Sequence, residues 1–211
     1  MGVIQDHPML RLGGVVLCGG SSQRMGRPKA WLPFDSETLL ARVVRLLQAV
    51  VDPVVVVAGP SQDVPPLPPG VHIARDEVSG MGPLQGIVAG LENLRCQADA
   101  SFVTGCDTPF IQPGLIRRLT ILIEDNWICV PRVNGLYHPL SAIYRVDVLG
   151  AARALLLGRR LSATNLFEVV PTRVVSASEL ADIDPELRSL RNLNNPDEYG
   201  RAVREMEGHK Q

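Results

Sequence analysis

Short apolar runs alternate along this chain with segments whose apolar positions recur at helical spacing. "GVVLCG" (14–19) and "PVVVVAG" (53–59) are short, β-branched and bounded by glycine or proline, which predicts buried strands. "VHIA" (71–74), "ASFVTGC" (100–106) and "WICVP" (127–131) share that character. Between them, "TLLARVVRLLQAV" (38–50) sets arginines against a leucine and valine face, the pattern of an amphipathic helix. "GPLQGIVAGLENL" (82–94) and "PGLIRRLTILIED" (113–125) each begin near a proline, which a first helical turn accepts. Strand alternating with helix predicts an α/β fold, with a mostly parallel sheet covered by helices on both faces. Beyond residue 150 the pattern is less regular, with "NLFEVV" (165–170), "TRVVSA" (172–177) and a last helix near 197–207. These are expected to complete a single domain.

"GPSQDVPPLPPG" (59–70) holds five prolines. Strand–helix alternation continues on either side, so it reads as a stiff, extended surface connection and not as a domain linker. A short N-terminal extension (1–12) followed by one domain (13–207) is the expected organisation of the 211 residues.

Composition narrows the function classes. The chain is 45% hydrophobic and 20% charged, as in ordinary globular proteins. A net charge of −1 and only 4% aromatic residues argue against a nucleic-acid partner. Cysteines stand at 18, 96, 106 and 129 without a C-x-x-C pair, which suits neither a zinc site nor a disulfide framework. Cys18, Cys106 and Cys129 lie in apolar runs and read as small buried residues in a reducing compartment. No run approaches a membrane span, and "MGVIQDHPMLRLGG" lacks the pattern of a secretory signal. A cytoplasmic location, with no membrane partner, is the expectation.

Candidate chemistry gathers after the strands. "LCGGSSQRMGRPKAWLP" (17–33) puts glycines and serines behind an apolar run, with Arg24, Arg27 and Lys29 close by. Such a turn can collect backbone N–H groups into an anion-binding concavity. Neither the P-loop spacing nor G-x-G-x-x-G fits it. Ligands of parallel sheets bind at the carboxyl ends of the strands. That rule puts the 19–29 loop, Asp76 and Asp107 on one rim. Asp107, in "SFVTGCDTPF", reads either as a turn or cap aspartate or as a carboxylate for Mg²⁺, an ion held by one or two carboxylates plus substrate phosphates. His138, in "GLYHPLSAIYR", reads first as structural, and "RNLNNPDEY" (191–199) as a loop capping the last helix. No Ser-His-Asp, Cys-His or H-E-x-x-H arrangement is visible, so a covalent nucleophile has little support.

Taken together, "LCGGSSQRMGRPKAWLP", "GPLQGI", "TGCDTPFI", "HPLSAIY" and "NLNNPDEY" occur in an order and spacing that resembles the molybdenum cofactor guanylyltransferases. These lie within the wider nucleotidyltransferase family that includes cytidylyltransferases and sugar-1-phosphate nucleotidylyltransferases. The likeness runs from about residue 13 to about residue 203. It implies a Rossmann-like fold and transfer of GMP from GTP to a molybdopterin acceptor, with Mg²⁺ assisting. Recipient molybdoenzymes or their chaperones are implied as further partners. By position it assigns nucleotide contact to Leu17, Cys18 and Gly19, phosphate binding to Lys29 and a loop arginine to Arg24. An acidic nucleotide contact falls on Asp76, the Mg²⁺ carboxylate on Asp107, and the pterin-side asparagines on Asn192 and Asn194. Valine stands at position 57, where guanylyl enzymes often carry a nucleotide-binding asparagine. The resemblance therefore leaves open a relative using CTP or another phosphorylated acceptor, or a non-catalytic protein that binds and delivers nucleotide or pterin. On the first reading an asparagine at 57 is expected to sharpen base preference.

Overall fold

The computed structural model describes residues 10–19, 27–76 and 80–208. The chain opens with β1 (Leu12–Leu17) and a small antiparallel hairpin of β2 (Pro33–Phe34) and β3 (Glu37–Thr38). Helix α1 (Leu39–Gln48) leads to β4 (Val54–Ala58), and β5 (Val71–Arg75) to α2 (Gly82–Leu94). After β6 (Ala100–Gly105) come α3 (Pro113–Leu122), β7 (Ile128–Val133), β8 (Leu136–Tyr137) and β9 (Ser141–Arg145). Helix α4 (Leu149–Leu157), β10 (Thr172–Ser176) and α5 (Pro196–Gly208) complete the fold.

The main sheet runs β10-β7-β9-β6-β1-β4-β5, with β8 paired to β7. Pairings β1–β4, β1–β6, β4–β5 and β7–β10 are parallel. Strand β9 is antiparallel to both β6 and β7. Successive side chains of a strand point to opposite faces, and β4 shows it. Val54, Val56 and Ala58 join the core with Val43 and Leu47 of α1 and Leu115 and Ile116 of α3. Val55 and Val57 join the core with Leu84, Ile87 and Leu91 of α2 and Ala152 of α4. Both faces are covered, so every residue of β4 and β6 is buried. That is why β4 reads as an unbroken apolar run, while β6 buries two hydroxyl side chains, Ser101 and Thr104, within its own.

Two expectations need correcting. The run at 71–74 is not a buried strand, because β5 is the sheet's edge and leaves His72 and Ile73 exposed. The valine at 57 does not face a ligand, since its side chain is 2% exposed in the α2-side core. Helix α4 was hidden by its composition. "LGAARALLL" is apolar nearly all round, which blurs its helical period.

The crossover from β4 to β5 contains no helix. Residues 59–70 form neither helix nor strand and turn at 60–61 and 69–70, with Val64 and Leu67 packed on the core. The Gln48 amide donates to Pro69 O (2.9 Å) and Trp31 Nε1 to Asp63 O (3.1 Å), which fasten this strip down. A third, smaller core joins Leu32, Phe34, Leu39 and Phe110 to Leu193 and Ala202, docking α5 against the hairpin.

Candidate active site

Strand order reverses at β1, which has β4 on one side and β6 on the other. Open α/β sheets bind ligands at the carboxyl ends of their strands, at such a switch point.

On the β6 side, the chain after Gly105 turns sharply. The Thr108 hydroxyl donates to Gly105 O (2.9 Å) and lies 2.8 Å from that of Thr104. Cys106 N–H donates to Leu17 O (3.0 Å), tying the turn to the end of β1. Asp107 is thereby set at the rim, its carboxylate folded back over Gly105. A Cβ on that glycine would lie 2.6 Å from Asp107 Oδ1.

Lys29 comes from a short 3₁₀ turn, Lys29–Trp31, that follows the Gly-rich loop. Its Nζ lies 2.6 Å from Asp107 Oδ2 and donates to Asn194 Oδ1 at 3.2 Å. The Lys29 and Asp107 side chains are 19% and 17% exposed, so a ligand can reach them although most of their solvent has been removed. Asn194 is itself held, because its N–H donates to Glu198 Oε2 (2.7 Å). One residue earlier, Leu193 is buried and its N–H donates to Asp107 O (2.9 Å). Three segments that are remote in sequence therefore meet around the Lys29 ammonium. Asn195 accepts from Glu198 N–H (2.9 Å), the helix-capping part expected of this asparagine run.

Asn192 stands apart from that cluster, lining a cavity of about 530 Å³ with Arg191, Glu198, Arg201 and Glu205. Leu17 ends β1, with Cys18 and Gly19 just beyond it. Leu17 O and Cys18 N are already used, by Cys106 N–H and Val57 O. Asp76 follows β5, its N–H donating to Ala58 O (2.8 Å). It is on the same rim but two strands from β1, roughly 10 Å across the sheet. Arg24, and with it most of the 19–26 backbone expected to hold phosphate, lies outside the described residues.

Burial raises the Cys18 thiol to about 11, and more strongly raises that of Cys106. Neither supplies thiolate near neutral pH, so neither is a nucleophile. Burial also lowers the pKa of His138, which favours its neutral form. Among the described residues no three His, Cys, Asp or Glu side chains cluster to cage a metal. Asp107 is a single hard oxygen donor at an accessible rim, which fits Mg²⁺ only if substrate oxygens complete its shell.

Two contributors escaped the sequence reading. Gly105 was visible only as one more glycine, and Gln62 lay inside a proline-rich connection. The side chain of Gln62 bridges the ends of β1 and β4, donating to Cys18 O (2.8 Å) and accepting from Gly59 N–H (3.1 Å).

Comparison with known proteins bears on this arrangement. Residues 14–170 match the family model described as MobA-like NTP transferase domain. A protein of Mycobacterium avium named "Probable molybdenum cofactor guanylyltransferase" is 36% identical over 192 residues, covering 88% of this chain and 91% of that protein. The molybdenum cofactor guanylyltransferase of Desulfosudis oleivorans is 31% identical over 191 residues, covering 90% and 93%. Among solved structures, molybdopterin-guanine dinucleotide biosynthesis protein A from Archaeoglobus fulgidus superposes with a TM-score of 0.77 at 21% identity, over 93% of this chain and 99% of that one.

Proposed function

The chain belongs to the family of MobA-like NTP transferase domains, and from that premise we propose that it transfers GMP from GTP to the phosphate of molybdopterin, releasing pyrophosphate. It is a nucleotidyltransferase. The observation that carries the reading is the contact between Lys29 Nζ and Asp107 Oδ2 (2.6 Å), with Asn194 beside it, at the carboxyl ends of β1 and β6.

In this reaction the acceptor phosphate attacks the α-phosphorus of GTP and pyrophosphate leaves. The acceptor is already an anion near neutral pH, so no protein group need remove a proton from it. That agrees with a rim lacking a thiolate. Lys29 supplies a cation next to the phosphates and counters the charge that grows on the leaving group. Arg24 and the backbone of the Gly-rich loop are assigned the same work. Asp107, bent back over Gly105, is the residue proposed to hold Mg²⁺, and Leu193 N–H fixes the backbone from which it projects. Mg²⁺ when bound supplies positive charge to phosphate oxygens. Leu17, Cys18, Gly19 and Asp76 are assigned to the nucleoside, and Asn192 and Asn194 to the acceptor side. Catalysis is then positioning with electrostatic stabilisation. The proposed setting is the cytoplasm, with recipient molybdoenzymes or their chaperones taking the product. Among the described residues no helix is long and apolar enough to cross a membrane.

The test is pyrophosphate release from each of the four triphosphates, with and without molybdopterin, in the wild type and in Lys29→Ala. Release that needs GTP and molybdopterin together is expected. Loss of Lys29 should lower turnover by about 10²–10³. Release from CTP alone among the triphosphates would overturn the guanylyl assignment, and unchanged turnover in Lys29→Ala would overturn the site.

A further inference from the structure

The polar groups at the end of β1 form two clusters, one on each side of that strand. On the β6 side are Lys29, Asp107 and Asn194, the charged set suited to phosphates. On the β4 side the cluster is built of backbone groups and the Gln62 amide, with the Arg75 guanidinium bonded to Gly59 O and Gln62 O. Gly19 and Gly59 lie so close that a Cβ on Gly19 would be 3.6 Å from Gly59 N and 4.0 Å from Gln62 Oε1. The two glycines thus put no side chain between the ends of β1 and β4, beside the half-buried Gln62 side chain. A nucleoside triphosphate whose phosphates lie over Lys29 and Asp107 has its base at its other end, and the amide and backbone groups across β1 have the chemistry to take it.

Gln62 is rigid there for stated reasons. Its N–H donates to Gly59 O (3.2 Å), closing a turn, and Arg75 donates to Gly59 O (3.1 Å) and to Gln62 O. The side-chain amide is held at both ends, by Cys18 O and by Gly59 N–H. A carboxamide has two N–H donors and two lone pairs on its oxygen, and these bonds use one of each. They also fix which end is which. Turning the amide over would set oxygen against Cys18 O and N–H against Gly59 N–H. An amide that can turn over reads donor–acceptor pairs of either order, whereas a pinned one reads a single order.

We propose that Gln62 is the side chain that selects the base of the nucleotide donor, through the N–H and the lone pair its backbone bonds leave over. The inference rests on the nucleotide-transfer reading above. It places base recognition after β4 in the turn, and not at position 57, whose side chain is in the core.

The experiment measures equilibrium binding of GTP, ITP, ATP, CTP and inorganic tripolyphosphate to the full chain, alongside melting temperature. Wild type is compared with Gln62→Leu, which has no amide, and Gln62→Glu, which keeps an acceptor for Gly59 N–H but loses the donor. The expected result is that the ratio of strongest to weakest nucleotide affinity falls about tenfold in Gln62→Leu, the worth of one hydrogen bond. Gln62→Glu should change the ratio as well, and tripolyphosphate should bind all three forms alike. A ratio unchanged in both variants, or equal weakening of nucleotides and tripolyphosphate, overturns the proposal and leaves Gln62 a structural strap. A wild type preferring CTP defeats the guanylyl reading, while the ratio test of Gln62 stands. A wild type that binds no nucleotide defeats both.

Discussion

Gly105 has no side chain, yet it decides where Asp107 can put its carboxylate. With a Cβ only 2.6 Å from Oδ1, Gly105→Ala must move that carboxylate, whose chain is short and whose backbone is held by Leu193. The expected outcome is a folded protein whose transfer activity resembles that of Asp107→Asn, with loss at low Mg²⁺. Titrating activity against Mg²⁺ in both variants checks this, and full activity of Gly105→Ala at limiting Mg²⁺ would show that the folded-back geometry is not the working one. Val57 is the opposite case. Read along the sequence, it stands where an asparagine is expected to bind nucleotide. In the fold it is 2% exposed among Val15, Leu84 and Ile87. An amide placed there has no evident partner, and an unsatisfied buried polar group costs about 1–3 kcal/mol. Val57→Asn is therefore expected to lower the urea midpoint, with no sharpening of base preference. A variant as stable as wild type that discriminates better between GTP and CTP would restore the expectation from the sequence.

Helix α2 poses a conflict between local and tertiary terms. Gly90 lies in its interior, where alanine is better than glycine by about 1 kcal/mol on helix propensity. But a Cβ at 90 would be 2.5 Å from Val15 Cγ1, and Val15 is wholly buried in the centre of the sheet. Forcing an extra methyl into a packed core costs roughly 1–3 kcal/mol, so the clash prevails. Gly90→Ala should be destabilised, and Val15→Ala in the same chain should recover part of its own cost. Double-mutant unfolding measurements check the coupling. Strictly additive effects would mean that α2 moves off β1 at no cost. The same close approach explains why "GPLQGIVAGLENL" keeps two inner glycines in a segment whose boundaries match α2, 82–94.

On the scale of the whole molecule, the site depends on a C-terminal segment that reaches Lys29 and Asp107. Asp184, 1% exposed, accepts from Gln112 Nε2 (3.1 Å), Arg188 N–H (2.9 Å) and Ser189 N–H (2.8 Å), anchoring that segment to the start of α3. Arg188 and Arg191 both lie over the Phe110 ring and both pair with Glu205 of α5. Leu193, fully buried, then brings Asn194 to Lys29. Leu193→Ala should cost about 2–5 kcal/mol as a core truncation. Because Leu193 N–H also holds Asp107, activity measured well below the melting temperature should fall too. Normal activity in the destabilised variant would separate the docking of α5 from the site.

The sequence alone determined what depends on local period and on chemistry at strand ends. Mostly apolar runs became β1, β4, β6 and β7 because burial on both faces leaves few polar positions in them. Helix α1 starts where Thr38 can cap it, its side chain accepting from Ala41 N–H at 3.2 Å. Lys29, Asp107 and Asn194 were legible one by one, as chemically apt residues after strands or before a helix, and the family was legible in their order. Only the tertiary structure decided which of them meet. Lys29 is 78 residues from Asp107 and 165 from Asn194, and no local pattern encodes contacts over such separations. It also decided that β5 is an exposed edge, that β9 enters the sheet antiparallel and that Val57 faces the core. Those outcomes are set by strand order and by which face packs on α2. Gln62 shows the limit most plainly, since its amide gains meaning only when Cys18 and Gly59, just past the ends of neighbouring strands, arrive on either side of it.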